Sequence, residues 1–356
     1  MQKQTKWILA IALAATLVSI GAVAGYILSN PDPCKGVTTP VGPSVSRSTP
    51  VRGAEPSARL GATDPSVASV RAGSAPSGGI IINVVAAENF WGSLVTQLGG
   101  SHVNVTSIIT DPNTDPHEYQ SNDSDAKAIA HAAYVIVNNV GYDSWATQII
   151  DADHVAGQVV LNVGDSLGVR VTGGIVTGNP HLWYNPTYVN QTVLWMYDNL
   201  TAIQPTLEPF FTSQYDNLTA SLDSLYSEVG HLRHHFAGSI VASTESIFVY
   251  LANATGLDLV SPPAFMEAVA EGNDPPDQSV VTFECQLKSG HVGVLVFNAQ
   301  TVTAITTSMK EIAQANNVSV MSVTETIVPP TATFQSWMGG QLDALYVALD
   351  AKYLGD

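Results

Sequence analysis

Four side chains of types that bind divalent transition metals lie far apart in the 356-residue sequence. His117 lies in the segment DPHEYQ and His181 in NPHLWYNP, so each histidine directly follows a proline. Glu245 comes directly after the apolar segment SIVAST, and Glu325 comes shortly after VSVMSV. Two neutral imidazoles and two carboxylates would bind a first-row divalent ion and neutralise its charge. The pattern therefore raises the hypothesis that these four residues form one metal site.

Each of these residues also has a simpler interpretation. A histidine in a polar loop is usually a solvated surface residue, and Glu245 could be an acidic residue that a helix N-terminus favours. Against this, the prolines before His117 and His181 restrict the backbone and preorganise both turns. A calcium loop in DPNTDPHEYQSNDSD is excluded, because the glycine and terminal glutamate spacing of an EF-hand is missing. We expect the histidines of HLRHHF to lie on the surface at the end of a helix and not to bind metal.

The segments that must position the four residues alternate between strands and helices. Short apolar runs, several of them rich in β-branched residues, predict strands, and capped amphipathic runs between them predict helices. The predicted strands are 80–87, 103–109, 134–140, 157–163, 239–244, 291–299 and 318–323. This alternation is typical of βαβ units with parallel sheets, which bind ligands outside the carboxyl ends of their strands. Two of the candidate ligands fall in the first group of strands and two in the second.

A long helix is predicted between the two groups of strands. Apolar residues recur at helical spacing from 206 to 236, and no proline occurs after Pro209. We therefore predict an α/β fold with two doubly wound lobes, each with a parallel sheet, joined by one long linking α-helix. The predicted first lobe covers 79–205, the linking helix 206–236 and the second lobe 237–356. The metal site would lie in the cleft between the lobes.

The N-terminal residues are typical of an exported protein. Two lysines precede an uncharged apolar run at 7–28, which predicts a signal peptide or a membrane anchor for residues 1–28. The AVA at 22–24 could be a cleavage site, and lipid attachment at Cys34 is a third alternative. Residues 29–78 are rich in Pro, Ser, Thr and Gly and predict a disordered tether. A tether favours an anchor on the outer face of the membrane, and all three alternatives place the protein outside the cytoplasm.

Composition excludes several classes of function. The chain has 30 acidic and 13 basic residues, a formal net charge of -17, so the basic surface that nucleic acids require is absent. Its two cysteines are too few for a disulfide framework or a cysteine-rich zinc site. Neither an HExxH motif nor a nucleophile elbow occurs, which argues against a hydrolase. We expect a monomer that is not an enzyme.

Several motifs occur in an order that resembles one known family. The segments VVAAENFWGSLVTQLGG, DPHEYQ and NPHLWYNP are similar to those of the metal-specific solute-binding proteins of bacterial and archaeal ABC importers. The resemblance runs from about Ile80 to the C-terminus. It implies that a metal is held at the positions of His117, His181, Glu245 and Glu325, where Glu325 replaces the commoner aspartate. It also implies a membrane permease as the partner.

The resemblance leaves the transported ion as Mn²⁺ or Zn²⁺. The segment GVRVTGGIVTGNP lacks the histidines of many zinc-specific relatives, and a glutamate at 245 adds a harder donor, so we expect a slight preference for manganese. Since the histidines must be neutral to bind, affinity should fall as the pH drops through about 6.5. Two alternatives are a cell-surface adhesin with an incidental metal site and a metallohydrolase.

Overall fold

The structure is a computed structural model that describes Cys34 and residues 81–153, 155–169, 171–172, 175–176 and 178–353. The predicted signal or anchor at 1–28 lies outside the described residues. The predicted tether at 29–78 also lies outside them, apart from Cys34. None of the helices in the described part of the chain is long and apolar enough to cross a membrane.

Strands and helices alternate along the chain as the sequence predicts. The strands are β1 (Ile82–Glu88), β2 (Val103–Ile109), β3 (Tyr134–Val137), β4 (Val159–Asn162), β5 (Val171–Thr172), β6 (Ile175–Val176), β7 (Ile240–Ser243), β8 (Asp258–Leu259), β9 (Val294–Asn298) and β10 (Ser319–Val323). The helices are α1 (Asn89–Gly99), α2 (Asp123–His131), α3 (Ser144–Ala152), α4 (Val163–Leu167), α5 (Pro186–Ile203), α6 (Glu208–Phe236), α7 (Val249–Thr255), α8 (Pro263–Ala270), α9 (Asp277–Lys288), α10 (Ala304–Ala315) and α11 (Phe334–Tyr353).

Two four-stranded parallel sheets form the centres of the two lobes. The first has the order β2-β1-β3-β4, and the second has the order β10-β9-β7-β8. Strands β3 and β9 are buried along their whole length, as expected for parallel strands that are covered on both faces. In both sheets the chain order reverses beside a central strand, and such switch points open a crevice at the carboxyl ends. The two-lobe prediction is confirmed.

The long helix α6 links the two lobes. It follows a 3₁₀ turn at Pro205–Leu207 and buries one apolar face, which includes Leu218, Leu222 and Leu225. That face packs against α1 and α5 of the first lobe and against α7 and α11 of the second. Its 29 residues span about 44 Å at the rise of an α-helix. Because one continuous helix is bonded and packed to both lobes, bending between them would break its hydrogen bonds.

Several strands are shorter than the sequence predicts: the predicted strands 134–140, 157–163 and 291–299 are observed as Tyr134–Val137, Val159–Asn162 and Val294–Asn298. The predicted strand 134–140 ends at Val137, because Asn139 and Val140 adopt positive φ angles of 62° and 58°. A β-branched residue in this region is strained and occurs where the surroundings hold it. The helices α4, α5, α8 and α9 and the short strands β5, β6 and β8 were not predicted from the sequence.

Cys34 and Cys285 form a disulfide that joins the N-terminal part of the chain to α9. Two cysteines are too few for a framework of several disulfides, but they are enough for this single bond. The bond crosses 251 residues of sequence. The alternative of lipid attachment at Cys34 is therefore wrong, because the sulfur that would carry the lipid is already bonded to Cys285. Disulfides persist in oxidising compartments, which agrees with export of the chain.

The linking helix predicts small lobe movements on release of a bound metal. We expect the radius of gyration in small-angle X-ray scattering to change by less than about 1 Å between metal-loaded and metal-free protein, since hinge closure needs interlobe segments that can bend. A lobe rotation of tens of degrees between the two states would contradict this expectation.

Candidate metal centre

The His117 turn follows β2 and is held by its own side chains. Pro116, His117 and Glu118 form a single 3₁₀ turn. The Asp115 carboxylate accepts a hydrogen bond from the backbone N–H of His117 at 2.9 Å, which caps that turn. Pro116 fixes φ at the first position of the turn, where a missing N–H costs nothing. The local sequence therefore determines the conformation of this turn.

The His181 turn is fixed by Asn179. The Oδ1 of Asn179 accepts hydrogen bonds from the backbone N–H of His181 at 3.0 Å and from its Nδ1 at 2.7 Å. An acceptor at Nδ1 assigns the proton to that nitrogen and leaves the Nε2 lone pair free for a metal. Asn179 also donates to the carbonyl oxygen of Ser246 at 2.6 Å, which ties this turn to the second lobe.

The two acidic residues follow two parallel strands of the second sheet, β7 and β10, which lie on either side of β9. Glu245 lies two residues after β7, and Glu325 lies two residues after β10. Both are fully buried, with no exposed surface. Gln300 fixes the backbone at Glu325 by accepting its N–H at 2.7 Å, and it donates to the Thr114 carbonyl of the first lobe at 3.0 Å. Through Gln300, the backbone at Glu325 is thus connected to the loop that carries His117.

The four predicted residues lie together between the lobes. The Nε2 atoms of His117 and His181 are 3.4 Å apart, and His117 Nε2 lies 3.3 Å from Glu325 Oε2. His181 Nε2 lies 3.1 Å from Glu245 Oε1 and 3.9 Å from Glu325 Oε2. One donor atom each from His117, His181 and Glu325 lies within 4.8 Å of the others. Glu245 is outside this group of three and approaches it at His181.

These separations suit a four-coordinate ion. A tetrahedral ion bonded at about 2.0 to 2.2 Å sets its donor atoms about 3.3 to 3.6 Å apart. Three of the distances, 3.1, 3.3 and 3.4 Å, lie within or close to this range, and the fourth, 3.9 Å, is slightly longer. The donor atoms of His117, His181 and Glu325 can therefore contact one ion, whereas Glu245 lies outside this group of three and is close to it only at His181.

Sequence reasoning missed the residues that hold the carboxylates. The Tyr142 hydroxyl donates to Glu325 Oε2 at 2.7 Å, and the Asn298 side-chain amide donates to Glu245 and Glu325. Asn298 is the last residue of β9, so its position at the carboxyl end of a strand is a signal in the sequence for a residue near the site. An asparagine amide is not a usual ligand of a first-row transition metal, so residue type alone does not indicate it. No pattern in the sequence distinguishes Tyr142.

Tyr142 is held in place by the strained loop after β3. Asp143 accepts hydrogen bonds from the backbone N–H groups of Asn138 and Asn139, each at 2.6 Å, and so stabilises the positive φ angles of this loop. Burial raises the pKa of Asp143 to about 6, although these amides oppose the shift. Burial, reinforced by Asp143, raises the pKa of Glu88 well above its usual range. These two buried carboxyl groups therefore carry a proton between them near neutral pH.

Burial and mutual charge set the protonation of the four donors. Burial alone would lower the pKa of His117, but the Glu325 carboxylate outweighs burial and raises it to about 9. Burial lowers the pKa of His181 to about 3. Burial and then repulsion from Glu325 raise the pKa of Glu245. Burial would also raise the pKa of Glu325, but the charged His117 beside it lowers this pKa below its usual range.

These pKa shifts favour two protons at the donor atoms that an ion would bind. The raised pKa values of His117 and Glu245 favour a proton on His117, which faces Glu325, and a proton on Glu245, which faces His181 Nε2. Both protons occupy donor atoms that a metal needs. A divalent cation can replace them without leaving uncompensated charge in the buried site.

His117 is the donor nearest to solvent. Its side chain is 13% exposed, whereas the other three candidate ligands are fully buried. It lines both a cavity of about 1060 Å³, whose wall includes Asn179, Ser246 and Glu267, and a smaller cavity of about 360 Å³ beside Tyr119. An ion could therefore reach the centre past His117.

The histidines of HLRHHF lie on the exposed surface near the end of α6, as expected. His231 approaches Glu228 at 3.3 Å, and the side chains of both residues are more than half exposed. Within the described residues, the group of His117, His181 and Glu325 is the one set of three whose donor atoms converge in this way.

Comparisons with known proteins point to metal uptake. Residues 84–348 match the profile of the family described as the periplasmic zinc-uptake complex component A. The manganese-binding lipoprotein MntA of Halalkalibacterium halodurans is 24% identical over 189 residues, which cover 50% of this chain and 59% of that protein.

Several solved structures have a similar fold. The periplasmic zinc-binding protein TroA of Treponema pallidum superimposes with a TM-score of 0.65 at 14% identity and covers 76% of this chain and 99% of its own. The laminin-binding protein Lmb of Streptococcus agalactiae, described as a bifunctional adhesin and metal transporter, gives 0.63 at 16% identity and covers 75% and 99%. At these identities the likeness establishes the fold.

Proton competition predicts a steep pH dependence of metal binding. Because the pKa of His117 is raised to about 9 and that of Glu245 is also raised, binding at pH 7 should release between one and two protons. Affinity should then rise about tenfold per pH unit for each proton released, up to about pH 9. This range lies higher than the value near 6.5 expected from the sequence. Calorimetry in buffers of different ionisation enthalpy measures the release, and no proton release at pH 7 would contradict it.

Proposed function

The chain belongs to the family of periplasmic zinc-uptake complex component A proteins, and from this premise we propose that it captures Zn²⁺ or Mn²⁺ outside the cytoplasm and delivers the ion to the permease of an ABC importer. The observation that carries the proposal is the convergence of two imidazoles and two buried carboxylates between two lobes. A buried site of this charge has a strong preference for a divalent cation.

We assign His117, His181, Glu245 and Glu325 as the ligands of the ion. The support for this assignment is the set of donor distances from 3.1 to 3.9 Å and the free Nε2 lone pair on His181. We propose that residues 79–205 and 237–356 act as the two lobes that contribute these ligands and that residues 206–236 link them. We also propose that the protein acts as a monomer, because the four ligands come from one chain.

Binding fits this site better than catalysis does. A catalytic metal site keeps an open coordination position for water or substrate. The proposed set of four protein donors would fill that position, and the family is one of metal-binding proteins and not a known class of enzymes. We therefore propose that the chain has no hydrolase activity. The adhesin alternative has the fold of Lmb in its favour, but none of the described residues forms a surface that we can assign to adhesion.

Substitution of the ligands tests the proposed function. His117→Ala and Glu325→Ala should each weaken Zn²⁺ and Mn²⁺ binding by more than the roughly 10- to 100-fold that a lost outer-shell partner costs. His231→Ala is a matched control, since this histidine is exposed on α6. Competitive titration with a metal indicator measures affinity, and radioactive metal uptake by cells measures transport.

The outcomes of this experiment separate the candidate functions. Loss of uptake together with loss of binding supports transport. Unchanged uptake by cells that carry His117→Ala, combined with lost attachment to a surface, would support adhesion instead.

We propose that the apolar segment 7–28 anchors the protein to the outer face of the cell membrane. Five residues lie between Leu28 and Cys34, and the six steps from one Cα atom to the next reach at most about 20 Å. Because Cys34 is bonded to Cys285, an anchored chain would keep α9 within that distance of the membrane. Without the disulfide, the connection would continue to β1 through about 50 residues, with a mean reach of about 40 Å. The disulfide would thus convert a long tether into a short one.

The short-tether proposal is tested by resonance energy transfer in lipid vesicles. A fluorophore at Gln278, an exposed position of α9, should transfer energy efficiently to a membrane dye in the full-length protein. Cys34→Ser should reduce the transfer severalfold, as should a reducing agent, while Ser289→Ala should not. Equal transfer before and after removal of the disulfide would overturn the proposal, and so would recovery of the protein free of membrane.

A further inference from the structure

We infer that Asn298 restricts Glu245 and Glu325 to one metal-facing oxygen each and thereby makes the site selective for a four-coordinate ion such as Zn²⁺ over Mn²⁺. The inference rests on the proposed ligand set. Asn298 would act through the two carboxylates without touching the ion, so it is a positioning residue. It would also reverse the slight preference for manganese that the sequence suggested.

The first observation is that one amide bridges both carboxylates. Asn298 Nδ2 lies 2.6 Å from Glu245 Oε2 and 2.7 Å from Glu325 Oε1. An amide nitrogen has two hydrogens, and the carboxylate oxygens are its two nearest acceptors, since the Thr301 hydroxyl lies slightly farther away at 2.9 Å. Asn298 is fully buried, and water therefore does not compete for these bonds.

The orientation of the Asn298 amide is fixed from its other end. Its Oδ1 accepts the backbone N–H of Gln300 at 3.0 Å. A flipped amide would place the oxygen against two carboxylates and the nitrogen against an N–H, and both contacts would be repulsive. The amide can therefore only donate towards Glu245 and Glu325.

The oxygens that Asn298 binds are the ones that do not face the histidines. Glu245 presents Oε1 to His181 at 3.1 Å and gives Oε2 to Asn298. Glu325 presents Oε2 to His117 at 3.3 Å and gives Oε1 to Asn298. A second donor, the Thr301 hydroxyl, also holds Glu325 Oε1 at 3.0 Å. Each carboxylate thus presents one oxygen to a histidine and the other to Asn298, and the histidine-facing Oε2 of Glu325 also accepts a hydrogen bond from the Tyr142 hydroxyl at 2.7 Å.

This division matters because zinc and manganese differ in coordination. Structural Zn²⁺ sites are almost always tetrahedral with four donors, whereas Mn²⁺ favours six oxygen-rich donors. With four residues, six donors require both carboxylates to bind through both oxygens. Rotation of either carboxylate into that geometry would break its bond to Asn298 inside a buried site, which is costly. The bridging amide therefore penalises the manganese geometry and leaves the zinc geometry intact.

The experiment compares the two ions on the same variants. Asn298→Leu keeps the volume and removes the donor, and Thr301→Val removes the second donor while Asn298 remains. The control is Gln286→Leu, which removes another buried amide of the same lobe that bonds the Val260 carbonyl at 2.6 Å. The readouts are the dissociation constants for Zn²⁺ and Mn²⁺ and the coordination number from X-ray absorption of each metal-loaded protein.

We expect the ratio of the Mn²⁺ to the Zn²⁺ dissociation constant to fall about 10- to 100-fold in Asn298→Leu, the usual range for loss of an outer-shell partner. A smaller fall is expected in Thr301→Val and none in Gln286→Leu. Zinc bound to the unchanged protein should have four donors, and manganese bound to Asn298→Leu should have more than four.

The outcomes separate this inference from the proposed function. An unchanged protein that binds neither ion would overturn the proposed function. Binding of both ions with a ratio that Asn298→Leu leaves within about twofold would overturn the inference alone. Bidentate coordination by both glutamates in the unchanged protein would also overturn it. If Asn298→Leu does not fold, the ratio of the Mn²⁺ to the Zn²⁺ dissociation constant in Thr301→Val tests the inference by the same criteria.

Discussion

Two carboxylates that are buried side by side are the constraint on which the rest of this structure depends. Glu245 and Glu325 have no exposed surface, and an unpaired buried charge is costly. The raised pKa values of His117 and Glu245, which favour a proton on each, reduce this cost, and so do the donors on Asn298, Tyr142 and Thr301. A divalent cation can replace both protons and leave the net charge of the buried site unchanged.

The architecture of the two lobes follows from the need to bring such groups together without water. Parallel sheets direct the ends of their strands towards the same crevice, and each lobe contributes short turns at that edge. The first lobe supplies histidines on turns that proline and Asx hydrogen bonds preorganise, and the second supplies carboxylates that a bridging amide holds. The helix α6 fixes the position of one sheet edge relative to the other because it packs against both lobes.

Much of the fold could be predicted from the sequence because the patterns that specify it are local. The strands around Val84, Val105 and Leu295 are short apolar runs, and the helix from Glu208 to Phe236 has a single apolar stripe. The end of β3 could not be predicted, since the positive φ angles after it are stabilised by backbone hydrogen bonds to Asp143, whose carboxylate is buried only in the folded lobe. The disulfide could not be predicted either, because Cys34 and Cys285 become neighbours only through the tertiary fold.

For the candidate centre, the sequence by itself determined the residue types and the local turns: proline before each histidine and an acid after each of two strands. Those features depend on contacts within a few residues, which the order of amino acids specifies directly. The tertiary structure decided which oxygen of each glutamate faces the histidines, which donor holds the other oxygen, and where the protons lie. These properties depend on atoms more than fifty residues apart, such as Asn298 and Glu245, and on a burial that exists only after both lobes have packed.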